Sequence, residues 1–398
     1  SLKFKVILFG FIFTFFSSFG QSYFLGLFNS SIREALSITH GQFGSIYASA
    51  TLCSSLLLIW VGKKIDDVNI FKFAFFVTIL LSFACFFFSK VSSIFLLFIA
   101  IFLMRFSGQG MMSHTASTTI SRYFTRTRGR ALSISWFGLS SAEFIMPVLM
   151  VYLLTIIDWQ NLWLIFSITV LIVLPIASFL LIKNLNLDSR ETNDENIKDI
   201  EIKQWKRREV IKDYRFYIIS LNMLAMPWIF TGFAVFQSFV QTSKGWGPYV
   251  IAQSFMSYSI LSVLTLFLSG FLIDKFTSRK LLIYMNIPLL LSVIVLFFFD
   301  TPVTAFVFLG LVGISNGFAN ILGSSTWAEL YGVKYLGSIK ALTTALMVFA
   351  TAFGTALFGY LIDIGFTVGD IAVVSGTYIF ISLILLFSVR KKLNPVII

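Results

Sequence analysis

The sequence predicts an all-α membrane protein with about twelve transmembrane helices in two pseudo-symmetric six-helix bundles, and three observations carry that expectation. Hydrophobic residues make up 57% of the 398 and charged residues only 12%, with 48 phenylalanines, a balance rare in soluble domains. Apolar stretches of about 20 residues, the length a helix needs to cross a bilayer, centre near Ser17, Thr51, Leu80, Met104, Phe144, Ile172, Phe230, Leu261, Leu290, Gly313, Phe349 and Ile381. The turns also repeat between halves. Gly62, Ile65, Asp66 and Lys72 recur in order and spacing as Gly270, Ile273, Asp274 and Lys280, and Tyr123 with Arg130-Ala131-Leu132 is echoed by Tyr331 with Lys340-Ala341-Leu342.

Taken in order, the first apolar stretch, residues 4–28, is too long for a signal-peptide core and lacks a small-residue cleavage pattern, so a retained helix is expected. Cys53 and Cys85 fall inside spans, and neither a disulfide, a metal site nor a cofactor is indicated. Between Lys183 and Arg215 the chain becomes a dense mixture of both charges. This divides it into a six-helix bundle over 1–183, a cytoplasmic linker over 184–213 and a second bundle over 214–398. In the linker Ile197, Ile200, Ile202, Trp205, Val210 and Ile211 fit one side of a candidate short helix on the inner leaflet; a solvated connector is the alternative.

The net charge of +12 resides in short turns rather than on one polar face, which favours topology signals and lipid contact over nucleic acid. With a cytoplasmic N-terminus, the outward turns carry only Arg33, Lys90 and Lys244; every other basic residue except Arg105 then faces inward. The expectation is an integral protein of a bacterial inner membrane, monomeric, with both termini cytoplasmic.

Two ionisable residues lie inside apolar spans: Arg105, in R-F-S-G-Q-G of span four, and Glu143, in S-A-E-F-I-M-P of span five. Such groups are costly in a bilayer unless paired or wet, and they mark functional sites by default. At α-helical rise both sit near mid-depth on sequence-adjacent helices. Glu143 can release a proton and Arg105 cannot. Glu143 is therefore the candidate proton carrier, and Arg105 its partner or the anchor of an anionic solute; a static ion pair tethering the two spans is the bland alternative.

Gln109 is one turn from Arg105 on the same face, Gly108 and Gly110 suit close helix packing, and Pro147 is expected to kink span five. Gln21 and Tyr23 add polarity to span one, and Trp228, Thr231 and Gln237 to span seven. Tyr258 lies on a polar stripe of span eight, and Asn316, Asn320, Ser324 and Trp327 form a stripe on span ten. Each stripe is either helix–helix glue or the lining of a wet cavity. His114 and His40 are expected to be structural, with proton relay open for His114. No phosphate-binding loop, zinc-binding helix motif or serine-nucleophile motif is present, so an ATP-driven pump and an enzyme both lack support.

The turns G-K-K-I-D-D and G-F-L-I-D-K-F-T-S-R-K resemble the signature loop of the major facilitator superfamily, and R-F-S-G-Q-G resembles its fourth-helix motif. The resemblance implies a secondary transporter working by alternating access, with its site at the midplane. It implies gating roles for the loop acids Asp66 and Asp274, while Arg130 and Lys340 occupy the matching basic turns. Asp67 stands where the first loop normally has a base, and the loop's second glycine is missing from both copies.

More loosely, S-F-G-Q-S-Y-F, S-A-E-F-I-M-P and S-T-W-A-E-L-Y-G are similar to bacterial members of the monocarboxylate and oxalate/formate branch, although span eight has no basic residue and Lys340 lies at the end of span eleven. The expected function is a gradient-driven carrier of a small polar solute, with a carboxylate imported alongside a proton as the leading class. Efflux of amphipathic compounds is the alternative within carriers. A membrane-embedded enzyme or a channel is the alternative outside them.

Overall fold

The computed structural model describes residues 2–124, 128–185, 202–332 and 335–397. They form twelve helices long and apolar enough to cross a membrane. Spans one to six are Leu2–Gly26, His40–Val61, Ile70–Phe88, Ile94–Tyr123, Gly129–Leu153 and Trp159–Ile182. Spans seven to twelve are Tyr214–Val235, Val250–Phe276, Ser278–Phe298, Pro302–Tyr331, Ser338–Asp363 and Val368–Lys392. Helices dominate because lipid offers backbone groups no hydrogen-bond partner, so each crossing must satisfy its own.

Local chemistry sets the ends. Thr39 and Gln42 close a reciprocal capping box at the start of span two. Ser93 caps span four by accepting from Leu96 N, and Asp158 caps span six by accepting from Asn161 N. Gly332 ends span ten at φ 81°, a backbone angle open to glycine and strained for other residues.

The chain divides into two compact units, one of Ser1–Asp194 with Ala234–Ser238 and one of Glu195–Phe233 with Phe239–Ile398. In the first, Ser82 Oγ and Ser167 Oγ each donate to the other's backbone carbonyl, clamping span three to span six. Phe19, Phe24, Phe28, Phe88 and Phe166 pack their rings around buried Trp163.

In the second unit, Gly313 and Gly317 let span ten close onto the backbone of span eight at Tyr258 and Ser262. Asn316 Nδ2 donates to Ser262 Oγ at 2.8 Å across the same seam. Buried Asn286 donates to the Asn222 carbonyl at 2.6 Å, joining spans nine and seven.

The described part of the linker packs on the second unit. Only Arg207–Val210 is helical there, and Val210 is buried in the second unit's core with Trp205 packed against it. Lys203 N bonds the Val396 carbonyl and Trp205 N the Tyr331 carbonyl. Arg215 holds Asp213 at 2.8 Å and donates to the carbonyls of Lys392 and Asn394. Val210 and Trp205 thus find protein within a charged stretch, while Ile211 is exposed. Glu209 caps its four-residue helix by accepting from Lys206 N; that bond and Lys203 hold its carboxyl below the usual range. Ile197 and Ile200 lie outside the described residues.

Thr277, just beyond span eight, takes φ 68° and ψ 151°, a conformation that a β-branched residue adopts only under strain. Relief of about 1–3 kcal/mol of backbone strain, set against the entropy lost by ordering a glycine, makes Thr277→Gly stabilising by about 1 kcal/mol. Thermal unfolding in detergent checks this; a lower midpoint would contradict it.

Candidate functional site

The site residues of the first unit gather where two spans depart from α-helical form. Span one runs as an α-helix over Leu2–Phe16, tightens to a 3-10 turn over Ser17–Gly20, and breaks at Gln21, whose φ of −82° and ψ of 150° are extended. An α-helix resumes over Ser22–Gly26. The break withdraws the Gly20 carbonyl from helical bonding, and a carbonyl freed at that depth needs a donor.

Arg105 supplies it. Nη1 donates to Gly20 O at 2.8 Å, and the guanidinium lies 5.4 Å from the centre of the Tyr47 ring. Tyr47 Oη is 2.8 Å from Ser22 Oγ, closing a small polar cluster. Arg105 is 4% exposed, and its buried Nε has no hydrogen-bond acceptor among the described residues.

Span four is itself irregular there. Residues Arg105–Met112, which contain the R-F-S-G-Q-G run, form a π-helix, a form found chiefly as short insertions at functional sites. Its register differs from the α-helix that placed Gln109 on the Arg105 face. Gln109 nonetheless comes to the same junction, because a Cβ on Gly20 would lie 2.5 Å from Gln109 N and 2.9 Å from Gly108 Cα. Gln21 and Gln109 are both half-buried.

The Gly20–Gly108 crossing permits no side chain on either partner. Gly108→Ala would set Cβ 2.7 Å from Gly20 N and 2.8 Å from its Cα. Overpacking of this kind costs about 1–3 kcal/mol, occasionally more, so the variant is expected to lower the unfolding midpoint. Gly129→Ala, with nothing within 4 Å of the added carbon, should leave the midpoint unchanged. Equal midpoints for the two variants would contradict the crossing.

Glu143 lies on the helix Arg128–Leu153 and is 9% exposed. Pro147, inside that helix and buried, has no N–H to offer the carbonyl four residues earlier, which is that of Glu143 itself. The carboxylate therefore sits on the turn the proline opens. It is within electrostatic reach of the Tyr23 phenol, which lies beside Ser18 just before the break in span one.

The Arg105–Glu143 ion pair, one of the alternatives that the sequence leaves open, is absent among the described residues. Among the described residues neither side chain meets the other, and Glu143 has no hydrogen bond or ion pair. Matching depth does not fix the direction in which two side chains point. Span one carries both the Gly20 carbonyl that Arg105 bonds and the Tyr23 phenol within electrostatic reach of Glu143. Gln237 Nε2, read as polarity of span seven, donates to Tyr23 O at 2.9 Å within the same unit. Tyr47, Ser22 and Gly20 went unread in the sequence; the question that finds Tyr47 is which aromatic face a buried arginine could lie over.

The second-unit candidates are distributed differently. Trp228 packs edge-on against Phe353, Phe358 and Tyr378 of spans eleven and twelve. Trp327 is fully buried between Phe216 and Tyr331 in the hydrophobic core. Both are buried against aromatic partners, some on neighbouring helices, where an apolar partner satisfies an indole ring as well as a solute would. Tyr258 is buried and stacked on Phe230 at 5.0 Å, Asn316 is glue to Ser262, and Asn320 is exposed.

Among the gating residues, Asp274 is exposed with no bond among the described residues, and the acid that holds the second loop is Glu329. Its carboxylate accepts from Ser278 N at 2.9 Å and Arg279 N at 3.2 Å and pairs with Arg279 Nε at 3.3 Å. In the first loop, His114 Nε2 is 2.9 Å from Gly62 O, and Arg122 Nη1 donates to Ile65 O at 3.3 Å. The Asp66 side chain lies outside the described residues. Arg130 is exposed and Lys340 half-buried, neither with an ion pair among the described residues.

With this geometry in view, a family model described as Major Facilitator Superfamily matches residues 10–355. No curated protein matches the sequence. A bacterial homologue of the human lysosomal transporter Spinster, solved inward-facing and unoccupied, superposes with a TM-score of 0.73 at 15% identity, covering 99% of this chain and 98% of its own. The nucleoside transporter NupG superposes with a TM-score of 0.70 at 15% identity, covering 99% of both chains. At such identity the likeness is one of fold.

Proposed function

The chain belongs to the major facilitator superfamily, and from that premise we propose that it carries a small organic carboxylate by alternating access, together with a proton. It is an integral membrane secondary transporter and not an enzyme; the solute and the coupling ion are the proposal.

One observation carries it. Among the described residues, Arg105 is a buried, permanently charged group whose one hydrogen bond is to a backbone carbonyl, with Nε unpartnered and no carboxylate bonded to it. A buried charge in this state calls for an anion, and the planar guanidinium fork suits a carboxylate. Glu143, on the opened turn of span five, is the acid that takes and releases the proton. The looser sequence similarity to the monocarboxylate and oxalate/formate branch supports the same class.

An abundance of aromatic residues would favour efflux of amphipathic compounds. That support is weaker here, because Phe19, Phe24, Phe28, Phe88, Trp163, Trp228 and Trp327 are all buried against one another or against neighbouring helices.

A thermal-shift screen of purified protein tests the solute class, since a ligand bound to the folded state raises its apparent stability. Small carboxylates should raise the midpoint. Nucleosides, the solute named for one structural neighbour, sugars and amphipathic amines should not. A shift from nucleosides or amines alone would overturn the carboxylate reading.

A further inference from the structure

The second unit holds a pocket that shares Leu272, Phe276, Arg279 and Lys280 with the second gating turn and whose basic lining solute transport does not account for. It has a volume of about 630 Å³ and lies between the junction of spans eight and nine and the end of span twelve. Leu272, Phe276, Ile283 and Tyr284 form its apolar part, while Arg279, Lys280, Arg390 and Lys391 line the rest; no acidic residue lines it. Arg279 is anchored by Glu329, the Leu393 carbonyl and Asn394, which ties the two walls together. Lys280 and Lys391 are exposed and their ammonium groups have no acceptor among the described residues. Arg390 spans only to Phe387, donating to its carbonyl with the guanidinium over its ring.

A second feature runs into the same pocket. Tyr284, Ile287, Leu291, Ile294 and Phe298 are all exposed and follow one another at steps of three and four, so they make one apolar stripe along span nine. The foot of that stripe, Tyr284, is part of the pocket lining. Cations at the foot of an apolar stripe match a molecule with a negative head and a hydrocarbon tail. A soluble phosphate would use the cations and leave the stripe without a role.

We propose that this pocket binds an anionic phospholipid, with the phosphodiester among Lys280, Arg390 and Lys391 and one acyl chain along the span-nine stripe. The charge and length of the site fit the recognition of lipid head groups by basic pockets at the ends of membrane helices.

The test uses the full chain, purified in detergent, with lipid retention measured by native mass spectrometry. Phosphatidylglycerol should remain bound in preference to phosphatidylcholine, and soluble glycerol phosphate should not bind. Arg390→Gln/Lys391→Gln should weaken phosphatidylglycerol binding by about fivefold for each cation removed. Lys280→Gln, at an exposed and unbonded side chain, gives an independent loss should the double variant fold poorly. Unchanged phosphatidylglycerol affinity in the folded variants, equal retention of phosphatidylcholine, or glycerol phosphate binding as tightly as the lipid would each overturn the proposal.

Discussion

Arg105→Ala is expected to weaken binding of the carboxylate solute by about a hundredfold, the cost of truncating one member of a buried, hydrogen-bonded charge contact. Two losses combine in this variant. The solute loses its charged anchor, and the Gly20 carbonyl loses the donor that the break in span one requires. The second loss acts without solute as well, lowering stability by about 1–3 kcal/mol. Arg105→Lys keeps the charge without the fork, so it should recover part of the affinity and little of the geometry. Equilibrium binding on folded protein measures both variants; wild-type affinity in Arg105→Ala would remove the anchor.

Glu143→Gln is expected to abolish accumulation while leaving solute binding nearly intact. A carrier deprived of its coupled ion can only equilibrate its solute, so the ratio of internal to external concentration should fall to about 1. Wild-type uptake should rise as the external side is acidified, because protons there load the carboxylate, and the variant should show no such dependence. Uptake into proteoliposomes under an imposed pH gradient reads both effects. Accumulation at the wild-type level in Glu143→Gln would show that the proton enters elsewhere.

These two residues were legible in the sequence because the bilayer makes an unpaired charge expensive, and an expensive group stands out against apolar neighbours. The twelve spans were legible for the related reason that lipid leaves the backbone few alternatives to a long apolar helix. The relation between Arg105 and Glu143 was not. Depth follows from counting residues, but direction around the helix axis depends on geometry that the π-helix at Arg105–Met112 and the break at Gln21 both alter. The close approach of Gly20 and Gly108 fits those departures.

Polar and aromatic stripes were the least decisive signal. Asn316 bonds Ser262 and Trp327 packs on Tyr331, yet the spacing of such residues is the same for a helix facing its neighbour as for one facing a cavity. Loop chemistry misled in a different way. Asp274 occupies the position expected of a brace, whereas Glu329, far along the chain, reaches back to the same turn. Spacing within one segment cannot report a contact made by another.

Proton movement during solute entry is the most direct measure of coupled transport. Proteoliposomes loaded with a pH-sensitive dye should acidify inside when a small carboxylate bound by the protein is added outside, with no such signal from Glu143→Gln vesicles. Solute uptake without acidification, or equal acidification in wild-type and Glu143→Gln vesicles, would contradict the assignment of Arg105 to the anion and Glu143 to the proton.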